Sequence, residues 1–247
     1  MRSPLFGSLI AILSCVSSAN AVFTTINLTG TAGNPTAFGN TRSFSKSGIS
    51  VTASAWAYTG SSNTLFETAG LGQYDTGLGV SDRVEGLAVG DPNHQVDNVG
   101  PDNFVLFSFA NPVNISALNI NPFGVYDRDV SYWVGTVAPG TDLTGKSYAQ
   151  LLALGFTSGR IDKLSTPSED PLDVAIGLSG NAILFGSYAD GAGGPATVAD
   201  EDRFKIASIT AELVPPPPPI PEPTTALFGL ALMGFCSATR RRNKATV

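Results

Sequence analysis

An acidic segment between residues 90 and 103 is the first part of this sequence whose residue types could do chemistry. It holds Asp91, Asp97, Asn98 and Asp102, with further Asn, Gly and Pro residues between them. Calcium takes about six to eight oxygen ligands at flexible spacing, and Asp, Asn and backbone carbonyls supply them. Asp and Asn are equally the commonest residues of ordinary turns. The sequence therefore leaves open a calcium site formed by these four residues or an ordinary loop, and it predicts no other cofactor.

A second segment, residues 140–147, matches the nucleotide-binding P-loop pattern G-x4-G-K-[ST]. The rest of the chain lacks the alternating strand and helix units that place such a loop at the edge of a parallel sheet. Pro139 and Asp142 also fit poorly against a phosphate-binding turn. We interpret the segment as a turn followed by the start of a helix.

Catalytic chemistry has little support in the residue types, and we predict no catalytic residue. The single histidine, His94, lies in the acidic segment, and no G-x-S-x-G nucleophile motif is present. A pair of carboxylates for glycoside hydrolysis stays open, because a separation in space is invisible in a sequence. Four aromatic residues can form a platform for stacking sugars or can pack in the core: Trp56, Tyr58, Tyr126 and Trp133.

The elements that must position these residues are predominantly strands. Residues 49–56 alternate between apolar and hydroxyl side chains, and residues 130–134 and 174–178 alternate in the same way. Further segments lie near 22–28, 104–109, 113–120, 182–188 and 204–213. We therefore count eight strands, which are separated by Gly, Asn and Pro loops. The pattern predicts an all-β protein, a single β-sandwich or jelly-roll-like domain over residues 22–213.

Three finer predictions follow from local patterns. The nearly continuous apolar run 104–109 indicates a central strand that is covered on both sides, and residues 113–120 should pair with it as a hairpin after an Asn111-Pro112 turn. The final strand, 204–213, changes parity near Ala207, which indicates a β-bulge. One short helix is predicted from about Thr144 to Leu154, ending at Gly155.

The first 21 residues have the pattern of a secretory signal peptide. Arg2 precedes an apolar run over residues 5–16, and Ala19 and Ala21 form a small-x-small cleavage site. We therefore expect signal peptidase to cleave after Ala21, and residues 1–21 to be absent from the exported protein.

The C-terminal end consists of a proline run, an apolar stretch and a basic cluster. We expect a stiff polyproline stem over residues 214–219, and residues 220–247 follow as a unit with its own pattern. Within that unit, sixteen apolar residues, 224–239, precede a basic cluster formed by Arg240, Arg241 and Arg242. An apolar helix followed by cations places the tail on the cytoplasmic side of a membrane and the main domain outside.

This C-terminal unit resembles the PEP-CTERM sorting signal of Gram-negative bacteria. The motif Pro221-Glu222-Pro223, the Gly-bearing apolar stretch and the terminal arginines stand in that order at the end of the chain. The resemblance covers about 25 residues. It implies an exosortase as a partner, a transient inner-membrane intermediate held by residues 224–239, and release to the cell surface or the extracellular matrix.

Two stretches of the predicted domain also look like the ectodomains of other exosortase-dependent surface proteins. One runs from His94 to Phe107, and the other is the acidic run 200–206 before the last strand. This second resemblance implies architecture and location, and it carries no activity.

Composition narrows the function further. The formal net charge is −6, and residues 22–219 hold nineteen acidic against nine basic residues, which argues against a nucleic-acid partner. Both cysteines, Cys15 and Cys236, lie outside that range, so no disulfide can support the predicted domain. We expect an exported protein with a structural or interaction role, stabilised by calcium if the acidic segment binds it. The alternatives are a carbohydrate-binding module acting on exopolysaccharide and a secreted glycan-active enzyme.

Overall fold

The computed structural model describes residues 22–59, 65–87, 94–122, 124, 126–161, 170–189 and 201–215. By its contacts the chain divides into two compact units, 1–214 and 215–247. All described residues except Pro215 belong to the first unit, which is mostly β-sheet with one short helix. The fold class predicted from the sequence is confirmed at that level.

The described residues form twelve strands and one helix. In chain order these are β1 (Thr24–Asn27), β2 (Thr41–Lys46), β3 (Ile49–Tyr58), β4 (Phe66–Thr68), β5 (Gly70–Tyr74), β6 (Gly77–Ser81), β7 (Val96–Asp97), β8 (Asp102–Pro122), β9 (Val130–Gly135), α1 (Tyr148–Ala153), β10 (Phe156–Ile161), β11 (Leu172–Ser187) and β12 (Arg203–Leu213).

Two long strands, β8 and β11, take part in both halves of the sheet. In the first half, the N-terminal part of β8 lies between β3 and the C-terminal part of β11, with β2 beyond β3 and β9 and β10 beyond β11. In the second half, the C-terminal part of β8 pairs with β12 and with the N-terminal part of β11. The strands β1, β6 and β7 pair with the other edge of β12, and β5 pairs with β6.

The predicted hairpin at Asn111-Pro112 is wrong. Residues 102–122 form one continuous strand, and the same partner, β11, pairs with both of its parts. The register shifts between Gly180 and Ala182, so several residues of β8 face one residue of β11 there. Such a bulge bends a strand without reversing it, and it tolerates Pro112, which has no N–H for a ladder hydrogen bond. The partner strand is continuous as well, so the separately predicted segments 174–178 and 182–188 both belong to β11.

Other sequence predictions are confirmed. Residues 49–55 alternate strictly between buried and more exposed side chains, and residues 104–109 form a central, largely buried strand. The register of β12 against β8 shifts between Ile206 and Ser208, where the parity change indicated a bulge.

The helix is shorter than predicted. It begins at Tyr148, because Ser147 and Gln150 form a capping box, and the chain before it is a turn at Gly145, whose φ is +70°. Gly155, with a φ of +96°, follows its end as expected.

Two cores stabilise these elements. The larger core takes side chains from both halves of the sheet, including Val51, Phe107, Leu118, Ile206 and Ile209. The second core covers the opposite face of the first half beneath α1, and its buried members are Trp56, Tyr58, Phe66, Phe104, Leu106, Trp133, Val137, Leu143, Leu151, Phe156, Ala182 and Leu184. The strands of the first half bury one face in the larger core, and α1 with the loop before it covers part of their other face.

Candidate functional site

A groove of about 780 Å³ lies where α1 no longer covers the sheet, on the face of β2, β3 and β8 opposite the larger core. Its floor carries hydroxyl groups, because the β3 residues that alternate with core residues are Ser50, Thr52 and Ser54. Strand register places Ser43 of β2 beside Thr52, and Thr52 beside Ser108 of β8. The Ser43 Oγ and the Thr52 Oγ1 lie 3.2 Å apart. Three neighbouring strands therefore present a row of hydroxyl groups across the groove.

One wall of the groove is the loop between β9 and α1, of which residues 139–142 line the cavity. Asn181 of β11 holds the start of this loop: its Oδ1 accepts the N–H of Val137 and its Nδ2 donates to the carbonyl of Val137, each at 2.8 Å. The Thr141 hydroxyl donates to the carbonyl of Ala138 at 2.6 Å. These bonds fix the wall relative to the strands of the floor.

The groove carries little charge. Of the described residues that line it, Asp142 alone is charged, and nine of the twenty have a hydroxyl side chain. The Asp142 carboxylate is exposed and accepts the backbone N–H of Thr144 at 2.8 Å, and this hydrogen bond lowers its pKa. The lining residues thus carry one anionic group, on the wall. Next to them, the guanidinium of Arg83 donates to the Thr68 hydroxyl at 3.1 Å and pairs with Glu67. The charge of Lys146 acts on Asp142.

The aromatic residues do not form an open stacking platform. Trp56, Tyr58 and Trp133 are only 5–7% exposed, because all three belong to the second core. The ring of Tyr148 stacks on Tyr58 at 3.7 Å and on Trp133 at 5.1 Å between centroids. Trp56 borders the groove and donates its indole N–H to the Ser54 Oγ at 3.0 Å. Of the two interpretations open in the sequence, core packing is confirmed for these three residues.

The fourth aromatic residue, Tyr126, is half-buried, and the guanidinium of Arg203 lies 4.5 Å above its ring. A cation on a ring face is a favourable contact, and it occupies a surface that a sugar would need.

The predicted calcium ligands lie apart from the groove, in a buried polar cluster at one end of the sheet. Asp97, Asn98 and Asp102 are at most 4% exposed, and Asp91 lies outside the described residues. Each of the three has its own protein partner. The Asp97 Oδ1 accepts from Asn103 at 3.1 Å, Asn98 donates to Asp202, and the Asp102 Oδ2 accepts the hydroxyl of Tyr148 at 2.7 Å.

Asp202 is the hub of this cluster. Its carboxylate accepts the amide of Asn98 and the backbone N–H groups of Asp129 and Tyr188 at 2.7–3.0 Å. Burial raises the pKa of Asp202 to about 8, against the opposing effect of the two backbone donors. One carboxyl group therefore joins the chain segments that precede β8, β9 and β12 and the segment that follows β11.

Three further carboxyl groups of the cluster act on one another. Burial raises the pKa of Asp97 to about 7 and that of Glu85 to about 8, and the charges of Asp97 and Asp82 raise the pKa of Glu85 further. Burial also raises the pKa of Asp82, whose Oδ1 accepts the N–H groups of Val84 and Glu85. Arg203 lowers the pKa of both Asp97 and Glu85. The three acids are therefore close enough to repel one another, and the charge of Arg203 offsets this repulsion only in part.

No three acidic, His or Cys side chains among the described residues are arranged as a metal-binding group. Within the same residues, the buried Asp82 Oδ2, the Asn103 Oδ1 and both side-chain polar atoms of Gln95 have no hydrogen-bond partner. Asp82 and Glu85 belong to the wider acidic stretch of the sequence, but neither they nor Gln95 are among the four candidate calcium ligands predicted from it. Asp82 and Glu85 lie before the acidic segment in the sequence. They come close to it only in the fold, where the N–H of Val80 in β6 donates to the carbonyl of Gln95.

His94 pairs with a serine, although the sequence offered no nucleophile motif. Its Nδ1 hydrogen-bonds the hydroxyl of Ser81, and its ring lies parallel to that of Tyr74 with the centroids 6.0 Å apart. Ser81 and His94 are at most 1% exposed. Both side chains therefore pack inside the protein.

Comparisons with family models, with curated proteins and with solved structures give no match to this chain.

The P-loop-like segment forms turns whose backbone groups bond within the protein. The N–H of Gly145 donates to the carbonyl of Phe66, and the N–H of Lys146 donates to the carbonyl of Leu143. A phosphate-binding loop needs those N–H groups pointing at its ligand. The interpretation as a turn followed by a helix start is confirmed.

The processing signals lie outside the described residues. This holds for the cleavage residues Ala19 and Ala21, the motif 221–223 and the cluster 240–242. In the part of the chain that the structure describes, no helix has the length and apolar character needed to span a membrane.

Proposed function

We propose that this chain is an exported protein of the cell surface or extracellular matrix, with a structural or interaction role. The observation that carries the proposal is the order of parts at the C-terminus: a proline stem, Pro221-Glu222-Pro223, an apolar stretch and three arginines. Together with the signal-peptide pattern of residues 1–21, this order supports export, a stage in the inner membrane and exosortase-dependent sorting in a Gram-negative cell.

For the exported part, we propose a β-sandwich over residues 22–213. The support is that β8 and β11 each bend from one half of the sheet into the other, while both halves bury side chains in one core. The range contains no cysteine, so its stability outside the cell depends on that core and on the polar cluster.

Calcium belongs to this proposal as a stabiliser of the polar cluster. The three acids Asp82, Glu85 and Asp97 repel one another, and the Asn103 Oδ1 next to Asp97 is buried without a partner among the described residues. Because no three acidic side chains there form a metal-binding group, an ion would need amide or backbone oxygens in addition.

Carbohydrate binding is the second candidate function, and the groove is the observation that favours it. A polysaccharide of the matrix would present a dense array of hydroxyl groups. Serine and threonine hydroxyls each offer one donor and two acceptor sites, so a floor of them can bond a sugar whichever way its hydroxyls point.

Mass spectrometry of the protein recovered from the native cell surface tests the main proposal. We expect a mature chain that begins at Val22, after removal of residues 1–21, and that lacks residues beyond about Pro223. A variant with Glu222→Ala should keep the apolar tail and remain with the inner membrane. Surface material that retains an intact arginine-rich tail would overturn the sorting proposal.

A further inference from the structure

The groove over β2, β3 and β8 combines three properties that together define a ligand class. It has the volume of a ligand site, its floor is a grid of hydroxyl groups, and the charge of its lining residues is confined to one carboxylate. Ligand sites in proteins commonly enclose between about 300 and 1,000 Å³, and the volume of about 780 Å³ falls within that range.

The hydroxyl grid follows from strand register. Thr41 pairs with Ser54, Ser43 with Thr52, and Ser45 with Ser50, so each pair adds one row along the two strands. Neighbouring strands are about 4.8 Å apart, and side chains on one face of a strand repeat about every 6.6 Å. The grid therefore presents hydroxyl groups at intervals of several ångströms in both directions.

Apolar surface accompanies the hydroxyls. Trp56 and Pro139 contribute apolar lining on this face, whereas the side chains of Phe44 and Phe109, which also border the cavity, pack on the larger core. A pyranose ring has apolar C–H faces and polar hydroxyls at its rim, and it makes use of both kinds of surface. The hydrocarbon chain of a lipid would leave the hydroxyls of the floor without partners, and polar groups buried without partners are costly.

The charge of the groove distinguishes between kinds of polysaccharide. The Asp142 carboxylate stays ionised on the groove wall, and the lining includes no described lysine or arginine that could bind a carboxylate or sulfate. Residues 22–219 also carry an excess of ten acidic residues over basic ones. Repulsion between like charges disfavours an acidic polysaccharide at low salt.

From these observations we propose that the groove formed by β2, β3, β8 and the 139–142 wall binds an uncharged polysaccharide chain and rejects acidic ones. The proposal rests on the carbohydrate-binding candidate above and specifies its site and its ligand class.

Affinity electrophoresis of the full-length protein tests the proposal. Native gels containing hydroxyethyl cellulose or dextran represent uncharged chains, and gels containing polygalacturonate or alginate represent acidic ones. We expect retardation in at least one uncharged gel and none in the acidic gels at low salt. The double variant Ser43→Ala, Thr52→Val should lose at least about tenfold in affinity, because it removes two neighbouring hydroxyls from the floor.

A matched control exists on another part of the sheet. The Thr25 and Thr210 hydroxyls form the same kind of exposed cross-strand pair at 2.9 Å, on β1 and β12 and outside the groove. Thr25→Val, Thr210→Val should bind as the wild type does. If the first double variant does not fold, as judged by its melting curve, Ser108→Ala removes one hydroxyl from the same row on the central strand.

The possible results distinguish failure of this proposal from failure of the carbohydrate-binding candidate on which it rests. Retardation that is unchanged in Ser43→Ala, Thr52→Val and in Ser108→Ala overturns the groove as the site, while carbohydrate binding stands. Stronger retardation by polygalacturonate or alginate overturns the ligand class. Absence of retardation in every gel overturns carbohydrate binding itself, and the surface-sorting proposal is then judged by its own mass spectrum.

Discussion

Asn98 and Asp202 exchange two hydrogen bonds although they lie 104 residues apart in the chain. The Asn98 Nδ2 donates to the Asp202 Oδ2 at 2.9 Å, and the backbone N–H of Asp202 donates to the Asn98 Oδ1 at 2.9 Å. Both residues are at most 4% exposed. This reciprocal pair closes one end of the sheet, because it joins the segment before β8 to the segment before β12.

We expect Asn98→Ala to lower the free energy of unfolding by about 2–4 kcal/mol. The substitution leaves a buried carboxylate with one donor fewer and a buried N–H with no acceptor, and each loss costs about 1–3 kcal/mol. Chemical denaturation of the folded protein, followed by tryptophan fluorescence, measures the change.

Asn119→Ala is the control for that substitution. The Asn119 Nδ2 also donates to an aspartate, the Asp173 Oδ1 at 2.8 Å, but the pair is exposed. Its loss should cost less than about 1 kcal/mol. Equal costs for the two variants would contradict a structural role for the buried pair.

The acidic residues of the polar cluster should make the protein less stable as pH rises. The pKa values of Asp97, Glu85 and Asp202 in the folded state, about 7, 8 and 8, lie above those of the unfolded chain. Between pH 4 and pH 8 the folded state therefore holds more protons than the unfolded state, and its stability declines through that window. Without added metal ions, we expect the melting temperature to fall by roughly 5 °C or more from pH 5.5 to pH 8.5.

Two variants locate that effect. Asp97→Asn removes one buried ionisable group and should flatten the decline. Asp142→Asn should leave it unchanged, because the pKa of Asp142 is lowered and its carboxyl group is ionised at both pH values. A melting temperature that rises steadily with pH would show that these carboxyl groups are not buried as described.

Much of the fold could be predicted from local pattern because periodicity reports directly on burial. In β3 and β12, for example, successive side chains alternate between the core and the other face. The alternation and the parity change in the sequence therefore indicate which residues face the core. The Gly-rich hairpin of β5 and β6 could not be predicted, because its pattern is that of a loop. Its Gly79 is needed for tertiary reasons: a Cβ at that position would collide with the carbonyl of His94.

The candidate site was predictable in part, for a related reason. Acidic residues 97–102 were visible as a cluster in the sequence, but the partners that decide their chemistry, Asp202 and Tyr148, lie far along the chain. The groove was missed altogether. Its hydroxyls looked like the ordinary polar face of β3, and only the pairing with β2 and β8 turns that face into a floor.

Calcium should stabilise the protein if it binds in the polar cluster. At an ion concentration about 100 times its dissociation constant, binding adds about 2.7 kcal/mol, which raises the melting temperature by about 5–10 °C in a domain of this size. We expect this shift with millimolar Ca²⁺ at pH 8, and we expect a chelator to reverse it.

The shift should depend on the cluster itself. Asp82→Asn and the pair Asp97→Ala, Asp102→Ala should each abolish it, whereas Asp142→Asn, an acid outside the cluster, should retain it. An identical melting temperature with Ca²⁺ and with chelator would remove calcium from the proposed function and leave the sorting proposal unaffected.

The last prediction concerns Asn181, which joins the groove wall to the sheet. Asn181→Ala leaves the N–H and the carbonyl of Val137 without their side-chain partner, so the wall should move relative to the floor. We expect faster hydrogen exchange at the Val137 amide, a loss of about 1–3 kcal/mol in stability and weaker retardation by an uncharged polysaccharide. Asn114→Ala is the control, because Asn114 bonds Glu212 at 2.8 Å on the second half of the sheet. If Asn181→Ala and Asn114→Ala bind polysaccharide equally well, the wall has no part in binding and the ligand lies on the strands alone.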